Sequence, residues 1–176
     1  MAGKLSLVTT TTVSSDTAQV ILTGIDSTNV YMLVVQGLYM DTTNSDIRIR
    51  FTASGSAVTS SNYRHRHYML KNDTSSSGTI VDSTGNIDLS QGLGTSMNNA
   101  FSMVAYLHNF NDSSQYSYII YENIHRNTSQ GRMGSVHGGG VLQTTATHDG
   151  VQMLNIGGAN ISSGVFSLYK IEEWVW

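Results

Sequence analysis

At 176 residues, with no proline, no cysteine and a net charge of −3, the chain has the length of one domain and excludes disulfides, thiolate metal sites and cysteine nucleophiles. At average usage (~5%) about nine prolines are expected, and their absence suits a chain that spends its length in paired strands, where proline removes a ladder donor. A pI near 6.0 and only 12% charged residues give no basic footprint, which argues against nucleic acid as the main partner.

The strand signals recur at the spacing of an all-β sandwich. Residues 5–13 are β-branched and polar, predicting a first edge strand, and residues 19–25 follow after the Ser14-Ser15-Asp16 turn. Residues 29–37 contain the apolar run Val30-Tyr-Met-Leu-Val-Val, which predicts a central strand buried on both faces. Residues 46–53 alternate, with Ile47, Ile49 and Phe51 on one side and Arg48 and Arg50 on the other. Residues 100–110 repeat that alternation, and residues 116–124, 151–156 and 165–171 complete the series. Loops are expected at 41–45, 72–79, 82–86, 91–99, 111–115 and 127–131, built from Gly, Asn, Asp and Ser. Gly138-Gly139-Gly140, inside a strand-like stretch, suggests a bulge or a close backbone approach. No window carries a helical apolar stripe, so almost no helix is expected. The sum is a jelly-roll-like antiparallel β-sandwich of about eight to ten strands, one domain over 1–171, followed by an aromatic tail at 172–176. The expected core is Ile21, Leu33, Val35, Ile47, Ile49, Phe51, Phe101, Met103, Leu107, Ile120, Leu154, Ile156, Phe166 and Leu168.

Sites of chemistry are few. His65 and His67 flank Arg66, and two His at i and i+2 on a strand share a face, the arrangement of some metal sites. The neighbouring Arg64 and Arg66 oppose a cation, so the segment is expected instead as a polar, partly exposed face making hydrogen bonds or a subunit contact. His148-Asp149 with abundant Ser does not amount to a catalytic triad, no G-x-S-x-G occurs, and Glu is confined to Glu122, Glu172 and Glu173. The segment beginning at Gly134 lacks a P-loop Lys. The chain is therefore expected to be no enzyme and to hold no cofactor and no metal. Four N-x-S/T sequons, at Asn72, Asn111, Asn127 and Asn160, are what a Ser/Thr-rich chain yields by chance. No apolar leader or bilayer-length stretch is present, so no membrane association is expected. Both tryptophans, Trp174 and Trp176, sit two apart in Glu172-Glu-Trp-Val-Trp and would project to one side if extended. Such an aromatic segment is expected to dock, on its own core or on another chain.

Taken together, Leu5-Ser-Leu-Val-Thr-Thr-Thr-Thr-Val-Ser-Ser, Val20-Ile-Leu-Thr-Gly-Ile, Tyr31-Met-Leu-Val-Val, Asp46-Ile-Arg-Ile-Arg-Phe and Tyr63-Arg-His-Arg-His-Tyr resemble a group of small tailed-bacteriophage virion proteins with jelly-roll-like domains. The closing Gly164-Val-Phe-Ser-Leu-Tyr-Lys-Ile is similar to their final strand, G-x-F-x-L-Y-G-[IL], with Lys170 in place of the usual Gly. The resemblance covers nearly the whole chain. It implies a non-enzymatic capsid decoration (cement) protein on the head exterior or, alternatively, a tail-fibre or receptor-binding module for host-surface carbohydrate. It further implies the major capsid protein or other virion proteins as partners, a homo-oligomer with a trimer favoured, and a virion location after assembly in the bacterial host cytoplasm. Trp174, Trp176, His65, Arg66 and His67 are the residues expected at the partner surface.

Overall fold

The computed structural model describes residues 4–72, 76–128 and 131–172. Thirteen strands follow in chain order: β1 (Lys4–Val13), β2 (Gln19–Thr23), β3 (Tyr31–Met40), β4 (Ser45–Ala53), β5 (Ser56–Ala57), β6 (Tyr63–Lys71), β7 (Ser76–Thr84), β8 (Ile87–Leu93), β9 (Phe101–His108), β10 (Ser117–Asn127), β11 (Arg132–Leu142), β12 (Gly150–Leu154) and β13 (Ile161–Glu172). The one helical element among the described residues is a single 3-10 turn, Met97–Asn99.

Two antiparallel sheets form a sandwich. The larger has eight strands in the order β1-β13-β3-β9-β10-β11-β6-β7; the smaller runs β2-β12-β4, with β5 and β8 both paired to β4. Four pairs are nested: β1 with β13, β2 with β12, β3 with β9 and β4 with β8. The chain thus behaves like one long hairpin rolled across both sheets. Two insertions depart from that plan, β5 to β7 between β4 and β8, and β10 to β11 between β9 and β12. Strands β10, β11, β6 and β7 add in sequence to the β9 edge and double the width of the large sheet.

The core lies between the sheets and is centred on aromatic rings. Phe51 packs at 4.4 Å from Phe110 and 5.5 Å from Tyr63, centroid to centroid. The buried Tyr63 hydroxyl donates to Val58 O at 3.0 Å and accepts from the Phe51 N–H at 2.9 Å. Burial pushes the Tyr63 pKa up to about 12, so the phenol stays neutral and keeps both bonds.

Several expectations need correction. The strand number is thirteen rather than eight to ten, because β5, β7 and β8 lie in stretches whose Ser, Gly and Asp content predicts turns. Residues 76–84, expected as two loops around a short gap, form β7, and β8 extends to Leu93 inside the loop expected at 91–99. Strand β3 is not buried on both faces: Tyr31, Leu33 and Val35 are buried, while Met32 and Val34 are half-exposed on the outer side of the large sheet. Ile21, Ile120 and Ile156 are exposed and Leu154 is only half-buried. In β2 the inward residues are Val20 and Leu22, and in β10 they are Ile119 and Tyr121. Both strands carry apolar residues on both faces, so alternation alone did not fix which face turns inward. The remaining expected core residues are buried.

Lys170, which stands where the phage pattern has Gly, lies in β13 with its Nζ 3.3 Å from Asp26 Oδ1. Hydrogen bonding from the Tyr31 hydroxyl, with Lys170 beside it, holds the Asp26 carboxyl below its ordinary pKa.

Candidate functional site

The outer face of the large sheet carries the most unusual chemistry of the molecule. In an ordinary sandwich, outward positions are polar. Here one register row crosses all eight strands. It starts at Leu7, Tyr169, Met32 and Tyr106, each directly opposite the next. It continues through Ile120, Gly139, Arg66 and Ile80. Ile120 is 56% and Ile80 65% exposed, and Leu7, Tyr106, Tyr118, Ile124, Leu70 and Met133 add further exposed apolar surface. Seven interstrand gaps of ~4.8 Å make this row about 34 Å long. Contiguous exposed apolar surface beyond a few hundred Å² marks interaction sites on soluble proteins.

The glycines of β11 shape this face. Gly138 and Gly140 turn inward: a Cβ on Gly138 would come within 2.5 Å of the Tyr121 ring, and one on Gly140 within 2.6 Å of Ile87. Only glycine lets β11 approach the strands and side chains beneath it. Gly139 turns outward, directly opposite Ile120 on β10 and Arg66 on β6. With no side chain there, the face drops into an open groove of about 590 Å³. Tyr118 and Ile120 line the β10 side, Arg64, Arg66, Ile80 and Asp82 the β6–β7 side, and Val141 and His108 complete the lining. That volume lies within the range typical of ligand sites, ~300–1,000 Å³. Arg64 pairs with Asp82 at 3.8 Å with both side chains largely exposed, whereas the Arg66 guanidinium has no partner among the described residues.

The expected site residues separate. Arg66 lies on the outer face, but its neighbours His65 and His67 point into the sandwich, 4% and 8% exposed. They cannot form the polar contact face expected of them; Arg64, Arg66 and Tyr68 take that position. The two imidazoles stack at 6.0 Å, and the Asp88 carboxylate approaches His65 Nε2 at 3.7 Å. Arg48 Nε lies 2.8 Å from Asp88 Oδ1, and Asn86 donates to the same oxygen at 2.9 Å. Burial pushes the Asp88 carboxyl up, but the His65 contact and Arg48 outweigh it and hold its pKa below the ordinary value. Burial, then repulsion from His65, lowers the His67 pKa. Trp174 and Trp176 lie outside the described residues.

Two further histidines sit in closed polar contacts. Ser117 Oγ is 2.7 Å from His148 Nδ1, a Ser–His pair sealed from solvent beside Phe51 and Phe110. The neighbouring Asp149 carboxylate is turned away, accepting from Thr52 Oγ1 at 2.6 Å and from the Gly55 N–H at 2.7 Å. Burial lowers the pKa of His125 to about 4, and its ring lies against the Ser90 hydroxyl at 3.0 Å. No cluster of three or more potential metal ligands occurs among the described residues, and no helix there is long and apolar enough to cross a membrane.

Fold and site together define a β-sandwich with an apolar, grooved sheet face. No protein-family model matches the chain, and no curated protein matches it.

Sequence reasoning missed the groove because it assigned the inward face of β10 to Ile120. The available signal was that Tyr118, Ile120 and Ile124 alternate as regularly as Ile119 and Tyr121 do, so both faces of one strand are apolar.

Proposed function

We propose that this chain is a non-enzymatic structural protein of a tailed-bacteriophage virion, a decoration protein that packs on the head exterior through the outer face of its large sheet. The observation that carries this reading is the apolar row from Leu7 to Ile80. A strip ~34 Å long and three outward residues (~20 Å) deep covers about 700 Å², largely apolar but with Arg64, Arg66, Asp82 and Glu122 as charged points within it. That is close to the ~800 Å² each partner buries in a stable protein interface. The nested strand pairing supports a jelly-roll assignment, since two Greek keys rolled from one hairpin give that order. The sealed Ser117–His148 pair supports a role without catalysis, because no substrate reaches it. Self-association, with three-fold assembly favoured because capsid lattices present three-fold positions, and contact with the major capsid protein or another virion protein are proposed to use the same face.

The test is twofold. Labelled antibody against the protein, imaged on intact particles, should decorate the head; label confined to the tail overturns the decoration reading. Sedimentation of the wild type and an Ile120→Asp variant should show self-association that the variant loses, and an unaffected variant shows that this face is not the contact.

A second reading, a tail-fibre module for host-surface carbohydrate, is favoured by the exposed rings of Tyr68, Tyr106 and Tyr118 on one sheet face, since aromatic faces stack on sugars. Glycan-array binding that is lost in Tyr118→Ala, together with tail-restricted label, would select it.

A further inference from the structure

Resting on the reading of the outer face as an assembly surface, we propose that the Gly139 groove is the receptor for residues 173–176 of a second copy of this chain. The groove offers two things at once: an apolar floor and wall at Gly139, Ile120 and Ile80, and beside them the Arg66 cation, which has no partner among the described residues. Residues 173–176 are Glu-Trp-Val-Trp, an acid next to two indoles at period two. In extended form both indoles lie on one side. Each can bury ~150–250 Å² and stack against a guanidinium, while Glu173 meets Arg66 in a charge-assisted contact.

Geometry makes this contact intermolecular. Strand β13 ends at Glu172, four strands from β11 in the sheet, about 19 Å across at ~4.8 Å per strand. Glu172 also lies three residues beyond Tyr169, which shares the register row of Gly139, adding about 10 Å along the strand. The separation is therefore about 21 Å, and four fully extended residues span at most ~14 Å. The near lining residues His108 and Tyr118 lie closer, within reach of a chain's own indoles, but Arg66 on β6 is five strands, about 24 Å, from β13, so a chain's own Glu173 cannot meet Arg66 and a neighbour's can. Donor edge and receptor groove are different surfaces, so the exchange is either reciprocal across a two-fold axis or head-to-tail, the latter closing into a ring such as a trimer when the rotation between copies permits.

The test exploits the fact that the chain has only two tryptophans, both in this segment, so intrinsic tryptophan emission reports on nothing else. In the full-length protein, emission is followed through a dilution series with acrylamide as quencher, alongside sedimentation. The expected result is blue-shifted, quencher-protected emission in the assembled protein and a red shift with loss of protection as it dissociates. Arg66→Glu and Ile80→Asp, both at exposed positions, should each raise the midpoint concentration about tenfold. Adding Glu173→Arg to Arg66→Glu should restore it. Emission that does not change with concentration overturns the proposal, as does an unchanged midpoint in Arg66→Glu. If sedimentation still shows self-association while emission stays constant, the groove assignment falls and the assembly reading stands. If neither changes with concentration, both fall.

Discussion

In the half of the large sheet formed by β1, β13, β3 and β9, the inward positions are Leu33, Val35, Met103, Phe166 and Leu168, and Thr10 and Thr12 lie on the outer side. In the half formed by β10, β11, β6 and β7, His65, His67, Ser117, Asn123 and His125 turn inward, while Ile80, Ile120 and Ile124 turn outward. The first half keeps an apolar interior, though Leu5, Leu7, Val104 and Tyr106 are exposed on its outer side. The second also admits polar groups to the interior, and it is the half made by the inserted strands. Burying polar groups there is tolerable because partners are supplied from the facing strand: Asn123 donates to Leu89 O at 2.9 Å and Tyr121 to Asp88 O at 2.8 Å. The halves therefore differ in their interiors: the second buries polar groups, some bonded to the facing strand and others, His65 Nδ1, His67 Nδ1 and Asn123 Oδ1, without a hydrogen-bond partner among the described residues, while both leave apolar residues on the exterior.

The strongest way to break the comparison is to attack the conventional half. Phe166→Ala removes a fully buried ring and should cost ~3–5 kcal/mol, measured by urea unfolding at neutral pH. A loss below ~1 kcal/mol would show that the rolled-hairpin core is not where stability resides.

Acid should separate the halves next. Burial depresses His125 to about 4, against ~6.5 in the unfolded chain. Between those values the unfolded state binds a proton that the native state does not, so stability is complete above pH ~6.5 and is lost as pH falls toward 4. For this residue alone the loss is roughly 3 kcal/mol, and burial shifts His67 and His148 in the same direction. Unfolding free energies at pH 7 and pH 4.5 should therefore differ, and His125→Gln should flatten the slope; a profile level across this range contradicts the buried-histidine account.

A smaller effect sharpens the role of β11. Gly138→Ala drives a methyl into Tyr121 and His67 Cβ and should cost ~1–3 kcal/mol by overpacking. Gly131→Ala in the turn before β11 meets nothing within 4 Å, though its φ of 65° keeps some strain, and it should cost less than Gly138→Ala in the same thermal melts. Ile120→Ser should be the mildest, within about 0.5 kcal/mol of the wild type, while weakening self-association in sedimentation.

The same division explains what could be read from the sequence. In β4, β9 and β13 the alternation is carried by residues whose preference is unambiguous, as in Ile47, Ile49 and Phe51 against Arg48 and Arg50. There, spans and facing were legible. In β7, Ser76-Ser-Gly-Thr carries no apolar period, and only pairing with β6 makes it a strand. In β10, hydrophobicity points both ways, and the tie is settled by Asp88, Leu89 and Ser90, which offer partners to Tyr121, Asn123 and His125. Those partners are more than thirty residues away, so no local window contains them. The histidines of β6 were misplaced for the same reason: their polar environment is Asp88 and Arg48, brought in by other strands.

The nested pairing also sets an order of events in time. The β9–β10 and β10–β11 hairpins join neighbours in sequence and close on the microsecond scale typical of hairpins. The β1–β13 pair, with Lys4 opposite Glu172, must wait for nearly the whole chain to be gathered, since closing long loops before contacts reward them slows folding. The grooved face can therefore exist on a folding chain while β13 is still unpaired. A nascent subunit then presents an apolar surface before its own outermost strands have zipped, and its rate of capture by neighbours competes directly with its rate of completion.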